Sequence, residues 1–510
     1  MTRLPATVSL VVIALAVGLG IGPVLYIGLG QGATGAPAFD AYLWQVLRFT
    51  LLQASLSTLL SVGLAIPVCW ALFRTSFPGR RFILRLFALP LALPAIVAVL
   101  GIVAIFGRAG LVSRVSGLSL DIYGLTGILI AHVFFNLPFA VRLLIQRLDA
   151  VAPEPWRLAA QLGFTPAGRF RFIGWPAIRS GLTGAASLIF LLCTASFTAV
   201  LTLGGGPNAT TLEVAIYQAL RFDFDPARAG ALALVQLVLC AVLVALAGRY
   251  ALQMHGGASL ESKRYGFTPD APRFFEAILI GSATVFVAAP VVAMAITGFG
   301  ASFAWSAILR ATVTSATIAM ISAVMSIAVA LPLAFAMARA RSQLAQTVLA
   351  LAGVLSLIVP PAVLATGWFV LVVGFGLAWW LAFVLVAAMN TLMALPFALG
   401  ALAPAVRTVL LPHDRLCASL GLSGFGRLRR IDFPLLRPPL SFALAICFAV
   451  SLGDLTAISL FGSQDLMTLP SLIYGQMGSY RIDAASATAL ILMLLSITVI
   501  VAAERQGRRA

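Results

Sequence analysis

The chain has 510 residues, of which 61% are hydrophobic and only 10% are charged, and its mean hydropathy is +1.06. This composition excludes an ordinary water-soluble domain and indicates a protein of the lipid bilayer. The net charge of +17 does not indicate a nucleic-acid partner, because the cationic residues are spread along the chain and form no cluster on a soluble domain.

Apolar stretches long enough to cross a membrane recur along the whole chain. A spanning helix needs about 20 mostly apolar residues, since each residue rises about 1.5 Å and the hydrocarbon core is about 30 Å thick. If Met1 is cytoplasmic, most of the 33 Lys and Arg residues fall in cytoplasmic segments. We therefore predict an all-α polytopic membrane protein of about 12 transmembrane helices, with both termini in the cytoplasm. The predicted spans are 7–28, 50–73, 86–107, 123–146, 181–203, 229–248, 274–298, 311–338, 347–372, 377–400, 440–462 and 486–503.

Two similar halves, 1–250 and 273–510, are predicted to be joined by a polar cytoplasmic linker at 251–272. The motifs PVCWALFR and PLAFAMAR each close a long span with an arginine. Because a proline inside a span frees backbone groups that lipid cannot satisfy, its repeated placement predicts the same kinks in two pseudo-symmetric bundles. Prolines and glycines recur at matching spacings in the spans that follow these motifs: Pro94 and Gly101, Pro360 and Gly367, Pro138 and Pro396.

The loops after the fourth and tenth predicted spans share a second pattern. They read WRLAAQLGFTPAGRFRFIGWPAIR and DRLCASLGLSGFGRLRRIDFPLLR, with a glycine, an isoleucine and a proline in one register. Gly163 and Gly421 are 258 residues apart, and so are Pro176 and Pro434. We predict in each loop a short helix, a glycine in the left-handed cap, a second basic stretch and a proline where the chain re-enters the membrane. An ordinary basic cytoplasmic loop is the alternative interpretation.

This pattern resembles the EAA loop of ABC (ATP-binding-cassette) type I importer permeases, the MetI-like family. The family pattern is EAA, glycine after three residues, isoleucine after nine more, and then a proline. The resemblance implies that each short helix docks in a cleft of a separate ATPase subunit, although arginine replaces the family glutamate in both loops. The coupling residues that it implies are Arg157, Leu158, Ala159, Gly163, Ile173, Pro176, Arg415, Leu416, Cys417, Gly421, Ile431 and Pro434.

No catalytic machinery is predicted within the chain. A phosphate-binding loop needs a lysine after its glycines, and the only lysine is Lys263 in ESKRYG. The five cysteines form no CxxC pair, and the three histidines fit no metal-binding spacing. We therefore predict no metal and no cofactor, and we expect ATP hydrolysis in a partner.

Longer stretches resemble the fused permeases of thiamine and thiamine-pyrophosphate importers. They include YGLTGILIAHVFFNLPFAVRLL, LTLGGGPNATTLEVAIYQALRFDFDPARA and SLGDLTAISLFG. The resemblance implies transport of thiamine or its phosphates through a bacterial inner membrane by alternating access. The implied partners are two copies of a cytoplasmic ATPase, a periplasmic thiamine-binding protein and membrane lipid. A ferric-ion importer permease is the alternative, and a 12-helix secondary transporter or a membrane-embedded enzyme is a more distant one.

Polar residues within spans are candidates for the translocation path, because they are costly in lipid. Asp454 could attract the cationic thiazolium of thiamine, or it could cap a broken helix. Asn136, Asn390 and His132 could line the path, although hydrogen bonding between helices is the favoured role. Acidic residues of a predicted outer loop are candidates for contact with the binding protein: Glu213, Asp223 and Asp225.

Overall fold

The described residues of the computed structural model are 3–30, 40–108, 110–117, 121–252, 273–340, 342–374, 381–422, 424–463 and 466–509. Within these ranges the regular structure is helical. Eleven helical segments are long and apolar enough to cross a membrane, and the shorter apolar helix Pro361–Val373 lies where the ninth span was predicted. The prediction of an all-α polytopic membrane protein is confirmed. Residues 253–272 of the predicted linker lie outside the described ranges.

Thirteen α-helices lie in the described part of the first half of the chain. They are α1 (Arg3–Gly30), α2 (Ala41–Arg74), α3 (Arg80–Leu86), α4 (Leu89–Ala92), α5 (Ala95–Phe106), α6 (Leu111–Ser116), α7 (Leu125–Asp149), α8 (Pro153–Gln161), α9 (Pro166–Arg169), α10 (Trp175–Thr194), α11 (Thr198–Leu203), α12 (Leu212–Arg221) and α13 (Pro226–Leu252).

The helices of the described part of the second half follow the same order of long and short elements, except that two helices stand where the first half has α3 to α6. They are α14 (Phe274–Phe299), α15 (Trp305–Arg339), α16 (Gln343–Ile358), α17 (Pro361–Gly374), α18 (Ala382–Ala405), α19 (Asp414–Ser419), α20 (Gly424–Arg427), α21 (Phe433–Leu452), α22 (Thr456–Phe461), α23 (Leu469–Gly478) and α24 (Ile482–Arg509).

Four predicted spans are interrupted in the structure. Span 86–107 divides into α4 and α5, span 181–203 into α10 and α11, span 440–462 into α21 and α22, and span 347–372 into α16 and α17. In the last case Pro360 and Pro361 stand at the break, where the missing N–H groups end the helical hydrogen bonding. Prediction of these spans as single helices was wrong, because hydropathy over a window of about 20 residues does not register a break of two or three residues.

The first helix of each half packs against the other half. Helix α1 contacts α17 and α15 of the second half as well as α13 of its own, and α14 contacts α5 and α2 of the first half as well as α24. One hydrophobic core therefore contains residues of both halves, for example Val97, Leu364 and Leu455. The exchange ties the two halves into one bundle.

Matching hydrogen bonds hold matching short helices in the two halves. The Thr50 hydroxyl on α2 accepts a hydrogen bond from the N–H of Leu212, which begins α12, at 3.0 Å. The Ser315 hydroxyl on α15 accepts one from the N–H of Leu469, which begins α23, at 2.8 Å. Each bond satisfies one of the N–H groups that a helix N-terminus leaves without an intrahelical partner. The repeat read from the sequence thus extends to side-chain contacts.

Candidate coupling loops and translocation path

The short helix of the first loop ends in the geometry that its sequence predicts. Gly163 follows α8 with a φ of +71°, in the left-handed region. The N–H of Phe164 donates to the carbonyl of Ala159 at 2.9 Å, and the N–H of Gly163 donates to that of Ala160 at 3.1 Å. This pair of bonds is the Schellman motif, which satisfies two terminal carbonyls and turns the chain sharply away from the helix.

The second loop repeats this geometry at the same register. Gly421 has a φ of +63°. The N–H of Leu422 donates to the carbonyl of Cys417 at 2.9 Å, and the N–H of Gly421 donates to that of Ala418 at 3.2 Å. The prediction of a left-handed glycine cap is therefore confirmed in both loops, and α19 corresponds to α8.

Each loop helix has two exposed leucine side chains. Leu158 and Leu162 are 56% and 63% exposed, and Leu416 and Leu420 are 52% and 61% exposed. Residues four apart lie on one face of a helix, so each pair forms a small apolar knob. One side chain between the two leucines of each helix faces inward, since Ala159 and Cys417 are both buried. Arg157 is exposed; the side chain of Arg415 lies outside the described structure.

The second basic stretch of each loop is helical and runs directly into a membrane helix. A π-helical turn at Phe170–Gly174 joins α9 to α10, and another at Leu428–Asp432 joins α20 to α21. Pro176 and Pro434 are exposed residues in the first turns of α10 and α21, inside these continuous runs. They do not mark a break, because the hydrogen bonding changes from π to α just before them and the missing N–H is accommodated there. Both isoleucines of the pattern are half-buried in the π turns: Ile173 and Ile431.

Buried polar side chains join neighbouring helices in the middle of the bundle. His132 Nδ1 lies 2.8 Å from the hydroxyl of Ser57, so α7 is hydrogen-bonded to α2. The Asn136 amide donates to the sulfur of Cys193 at 3.3 Å, which joins α7 to α10. These contacts are of the interhelical kind that the sequence favoured.

In the second half the corresponding polar residue is Asn390. Its amide donates to the hydroxyl of Ser451 at 2.9 Å and joins α18 to α21. Asn390 lies 258 residues after His132, the same interval as between the loop glycines, so the register pairs it with His132 and not with Asn136. The partners of the two residues differ, because His132 bonds to α2, whereas Asn390 bonds to α21, the counterpart of α10. A path-lining role for these three side chains stays a prediction.

Asp454 stands in the break between α21 and α22 and caps the second of these helices. Its Oδ1 accepts a hydrogen bond from the N–H of Thr456 at 3.2 Å, and its Oδ2 accepts one from the N–H of Ala457 at 3.0 Å. The carboxylate thus has the capping role that the sequence allowed. The residue 258 positions earlier is Ser196, so this acid has no counterpart in the first half.

The three acidic candidates for binding-protein contact do not share one environment. Glu213 is fully buried in α12, whose residues are nearly all buried, so its assignment to an exposed outer loop was wrong. The reason is that α12 folds back into the bundle, which a linear reading of charge does not show. Asp223 is exposed, and Asp225 is half-exposed and accepts a hydrogen bond from the N–H of Arg228 at 2.9 Å. These two stay candidates.

Two buried glutamines that join helices were not predicted from the sequence. Gln53 on α2 donates to the carbonyl of Cys193 at 2.9 Å, and Gln236 on α13 donates to the carbonyl of Thr194 at 3.2 Å. Both carbonyls lie where α10 ends and have lost their partners in the helix. The signal was a glutamine inside an apolar span, which is costly in lipid unless it has such a partner.

Two glycine-capped loops on a bundle of two interlocked halves define an inner-membrane permease of the ABC importer class. Residues 330–510 match the family of binding-protein-dependent transport system inner membrane components. Over 497 residues, 93% of this chain and 90% of the relative, the chain is 44% identical to the thiamine transport system permease protein ThiP of Brucella abortus strain 2308.

Two further relatives bear the same name. The Salmonella typhimurium protein is 42% identical over 506 residues, 95% of this chain and 93% of the relative. The Escherichia coli K12 protein is 42% identical over 482 residues, 91% of this chain and 89% of the relative. The chain belongs to the family of thiamine transport system permease proteins.

Membership of this family decides the class of protein. The chain is a multi-pass permease subunit of an ABC importer and is not itself a catalytic subunit. A permease of this class works in the inner membrane with an ATPase and a substrate-binding protein. The alternatives of a secondary transporter and a membrane-embedded enzyme are therefore rejected.

Proposed function

We propose that the chain translocates thiamine, its phosphates or both, delivered by a periplasmic binding protein, when two copies of a cytoplasmic ATPase grip its two loops. The single observation that carries this proposal is the pair of matching loop helices, each ended by a left-handed glycine. Two loop helices of the same shape suit an ATPase of two identical subunits, because symmetric partners present the same surface twice.

The docking surface proposed for each ATPase is the apolar knob on the loop helix. Leu158 with Leu162, and Leu416 with Leu420, are exposed at equivalent places on α8 and α19. A short helix that lays an apolar face into a groove is a common mode of recognition. The π turns then carry a displacement of each knob into α10 or α21, since loop and membrane helix are one continuous helical run.

Thiamine is favoured as the substrate because three relatives that cover most of the chain are thiamine permeases by name. The ferric-ion alternative, which the fused architecture also suggested, has no such support. Translocation is expected to proceed by alternating access, in which closure of the ATPase draws the loops together and opens the bundle outward.

The proposed orientation places both loops and both termini in the cytoplasm. The loops carry many of the cationic residues, among them the exposed Arg157, Arg171 and Arg429, and cationic loops favour the cytoplasmic side. Within this orientation, residues 1–250 and 273–510 are proposed to be the two permease halves, with 251–272 as the cytoplasmic linker.

Reconstitution in liposomes tests the proposal. The chain is incorporated with its ATPase, the binding protein is added outside, and uptake of radiolabelled thiamine is followed with ATP inside. We expect uptake that requires ATP and the binding protein and that excess unlabelled thiamine abolishes. ATP-dependent uptake that ferric ion inhibits and thiamine does not would select the alternative substrate. Uptake driven by a proton gradient without the ATPase would refute the proposal.

A further inference from the structure

The first loop is attached to the membrane bundle by aromatic rings. The ring centroid of Trp156, the fourth residue of α8, lies 5.3 Å from that of Phe73 and 6.4 Å from that of Trp70 near the end of α2. The ring of Phe170 in the π turn lies 5.0 Å from Trp70. A Cβ on Gly174 would lie 2.6 Å from a ring atom of Trp70, so the glycine makes room for this ring. Trp156 is itself buried.

The second loop is attached by ion pairs. Asp414, the first residue of α19, lies 3.4 Å from the guanidinium of Arg339, which ends α15. The same carboxylate receives a short hydrogen bond from Arg427 of α20. Arg427 reaches in turn to Asp432 in the π turn at 3.1 Å. These four side chains connect α15, the loop helix and the start of α21.

The two attachments occupy the same places in the two halves. Trp156 and Asp414 are 258 residues apart, as are Gly174 and Asp432. Trp70 and Phe335 occupy the same position in the motifs PVCWALFR and PLAFAMAR. Each loop is thus joined to the end of the second long helix of its half and to its own π turn. The first loop is joined through contacts between aromatic rings, and the second is joined through ion pairs.

The equivalent arginines of the two motifs form ion pairs with different partners. Arg339 serves the loop of its own half. Arg74, its counterpart in the motif, instead makes an ion pair of 2.6 Å with Glu276 at the start of α14, in the other half. The first loop therefore does not use this arginine for an ion pair with the residue that corresponds to Asp414, because that residue is Trp156.

We propose that Asp414 is a positioning residue that holds the second coupling helix to the membrane bundle through an ionic attachment, and that this attachment is loosened when charge is screened. The inference rests on the proposed function of the loops for its meaning in transport. Its structural content, the ionic attachment of the second loop, can be tested without any ATPase.

The strengths of the two attachments depend on different conditions. Salt screens exposed charges, and the Debye length falls from about 10 Å at 0.1 M to about 3 Å at 1 M. The side chains of Asp414 and Arg339 are 37% and 31% exposed, whereas Asp432 is 8% exposed. The outer link through Asp414 is therefore the one that salt reaches. Contact between apolar rings is not weakened by screening.

The charge of Arg427 supports the same assignment. Burial would lower its pKa, but hydrogen bonds from the guanidinium to Asp414 and Asp432 raise the pKa above its ordinary value. Arg427 therefore stays cationic, and its ion pairs depend on the charges of Asp414 and Asp432 and not on its own titration.

Matched spin labels on the two loops provide the experiment. Ala160 and Ala418 are exposed alanines at equivalent places on α8 and just beyond Cys417 on α19. The five native cysteines are all buried, so Ala160→Cys or Ala418→Cys supplies the accessible thiol. The full chain in nanodiscs of neutral lipid is examined by electron paramagnetic resonance between about 0.1 M and about 1 M salt.

We expect the mobile fraction of the label at position 418 to rise about two-fold with salt. Asp414→Asn should mobilise the 418 label already at low salt, and Asp414→Glu should restore it. Trp156→Leu should mobilise only the 160 label. No response of the 418 label to salt, or a salt response that Asp414→Asn leaves unchanged, would overturn the inference. The first of these outcomes is measured without a substitution at the attachment, so it does not depend on the folding of a variant.

Transport measured with the ATPase separates this inference from the function on which it rests. Asp414→Asn should lower the thiamine transported per ATP hydrolysed about two-fold or more, and Asp414→Glu should recover it. A failure to bind any ATPase would refute the docking function and leave the label result standing. Normal coupling in Asp414→Asn together with a mobilised 418 label would overturn the positioning role alone.

Discussion

The backbones of Gly367 and Gly20 touch across the two halves of the permease. A Cβ built on Gly367 of α17 would lie 1.7 Å from the carbonyl oxygen of Gly20 on α1. The counterpart contact joins Gly101 of α5 to Pro290 of α14, where a Cβ would lie 2.2 Å from the carbonyl oxygen. Each half therefore receives the first helix of the other only because a glycine stands at that point. These two contacts explain why the spacing from Pro94 to Gly101 is repeated in the spacing from Pro360 to Gly367.

Replacement of Gly367 by alanine should destabilise the interlocked bundle. The added methyl group meets backbone and not a flexible side chain, and overpacking of this kind typically costs about 1–3 kcal/mol. Gly22→Ala is the matched control, because a Cβ at Gly22 on α1 meets nothing within 4 Å. Thermal unfolding in detergent, followed by tryptophan fluorescence, should show a lower midpoint for Gly367→Ala only. Equal midpoints for the two variants would contradict this account of the contact.

Combined replacement of Gly163 and Gly421 by alanine should uncouple ATP hydrolysis from transport. A left-handed alanine costs about 1–2 kcal/mol per site, so each loop helix is expected to lose its sharp turn while the bundle remains folded. The ratio of thiamine uptake to ATP hydrolysed is the quantity to measure. Gly426→Ala is the control, since Gly426 lies in the second loop with open space around it and is not among the left-handed glycines. Full ligand-stimulated transport in the double variant would refute the docking assignment.

Substitutions at Asp454 separate its capping role from attraction of a cationic substrate. Asparagine also caps helices well, so Asp454→Asn keeps a cap but removes the charge, whereas Asp454→Ala removes both. We expect the alanine variant to lose about 0.5–2 kcal/mol of stability. If the charge also serves the path, Asp454→Asn should lower uptake of thiamine without a change in unfolding. Unchanged uptake in Asp454→Asn would leave Asp454 as a cap of α22 alone.

Loss of charge at Asp223 should weaken association with the binding protein, whereas Glu213→Gln should not. Asp223 is exposed beyond α12, and Glu213 is fully buried within it. A rim charge mainly affects the association rate and its dependence on salt. Surface plasmon resonance with the permease in nanodiscs should therefore show slower association for Asp223→Asn, by about two-fold to ten-fold. Slower association in Glu213→Gln instead would mean that the buried acid influences the outer surface.

Much of this protein could be read from its sequence because the responsible forces act locally. Membrane spans follow from runs of apolar residues, and the loop geometry follows from Gly163 and Gly421, since glycine enters the left-handed region at little cost. The interruptions at Val359 and at Asp454 were harder, because a break of two or three residues hardly changes the hydropathy around it. Glu213 was misplaced for a related reason: a charged residue in a polar segment reads as exposed until the fold back into the bundle is known.

The sequence by itself determined the class of fold, the repeat of short motifs and the glycine caps of the two loop helices, all of which depend on residues near one another in the chain. Only the tertiary structure decided which helix of one half rests on the other, and that Trp156 meets rings on α2 while Asp414 meets Arg339 on α15. The physical reason is that these contacts join residues far apart in sequence, whose distance is set by the packing of the whole bundle. Periodicity and composition do not contain that distance.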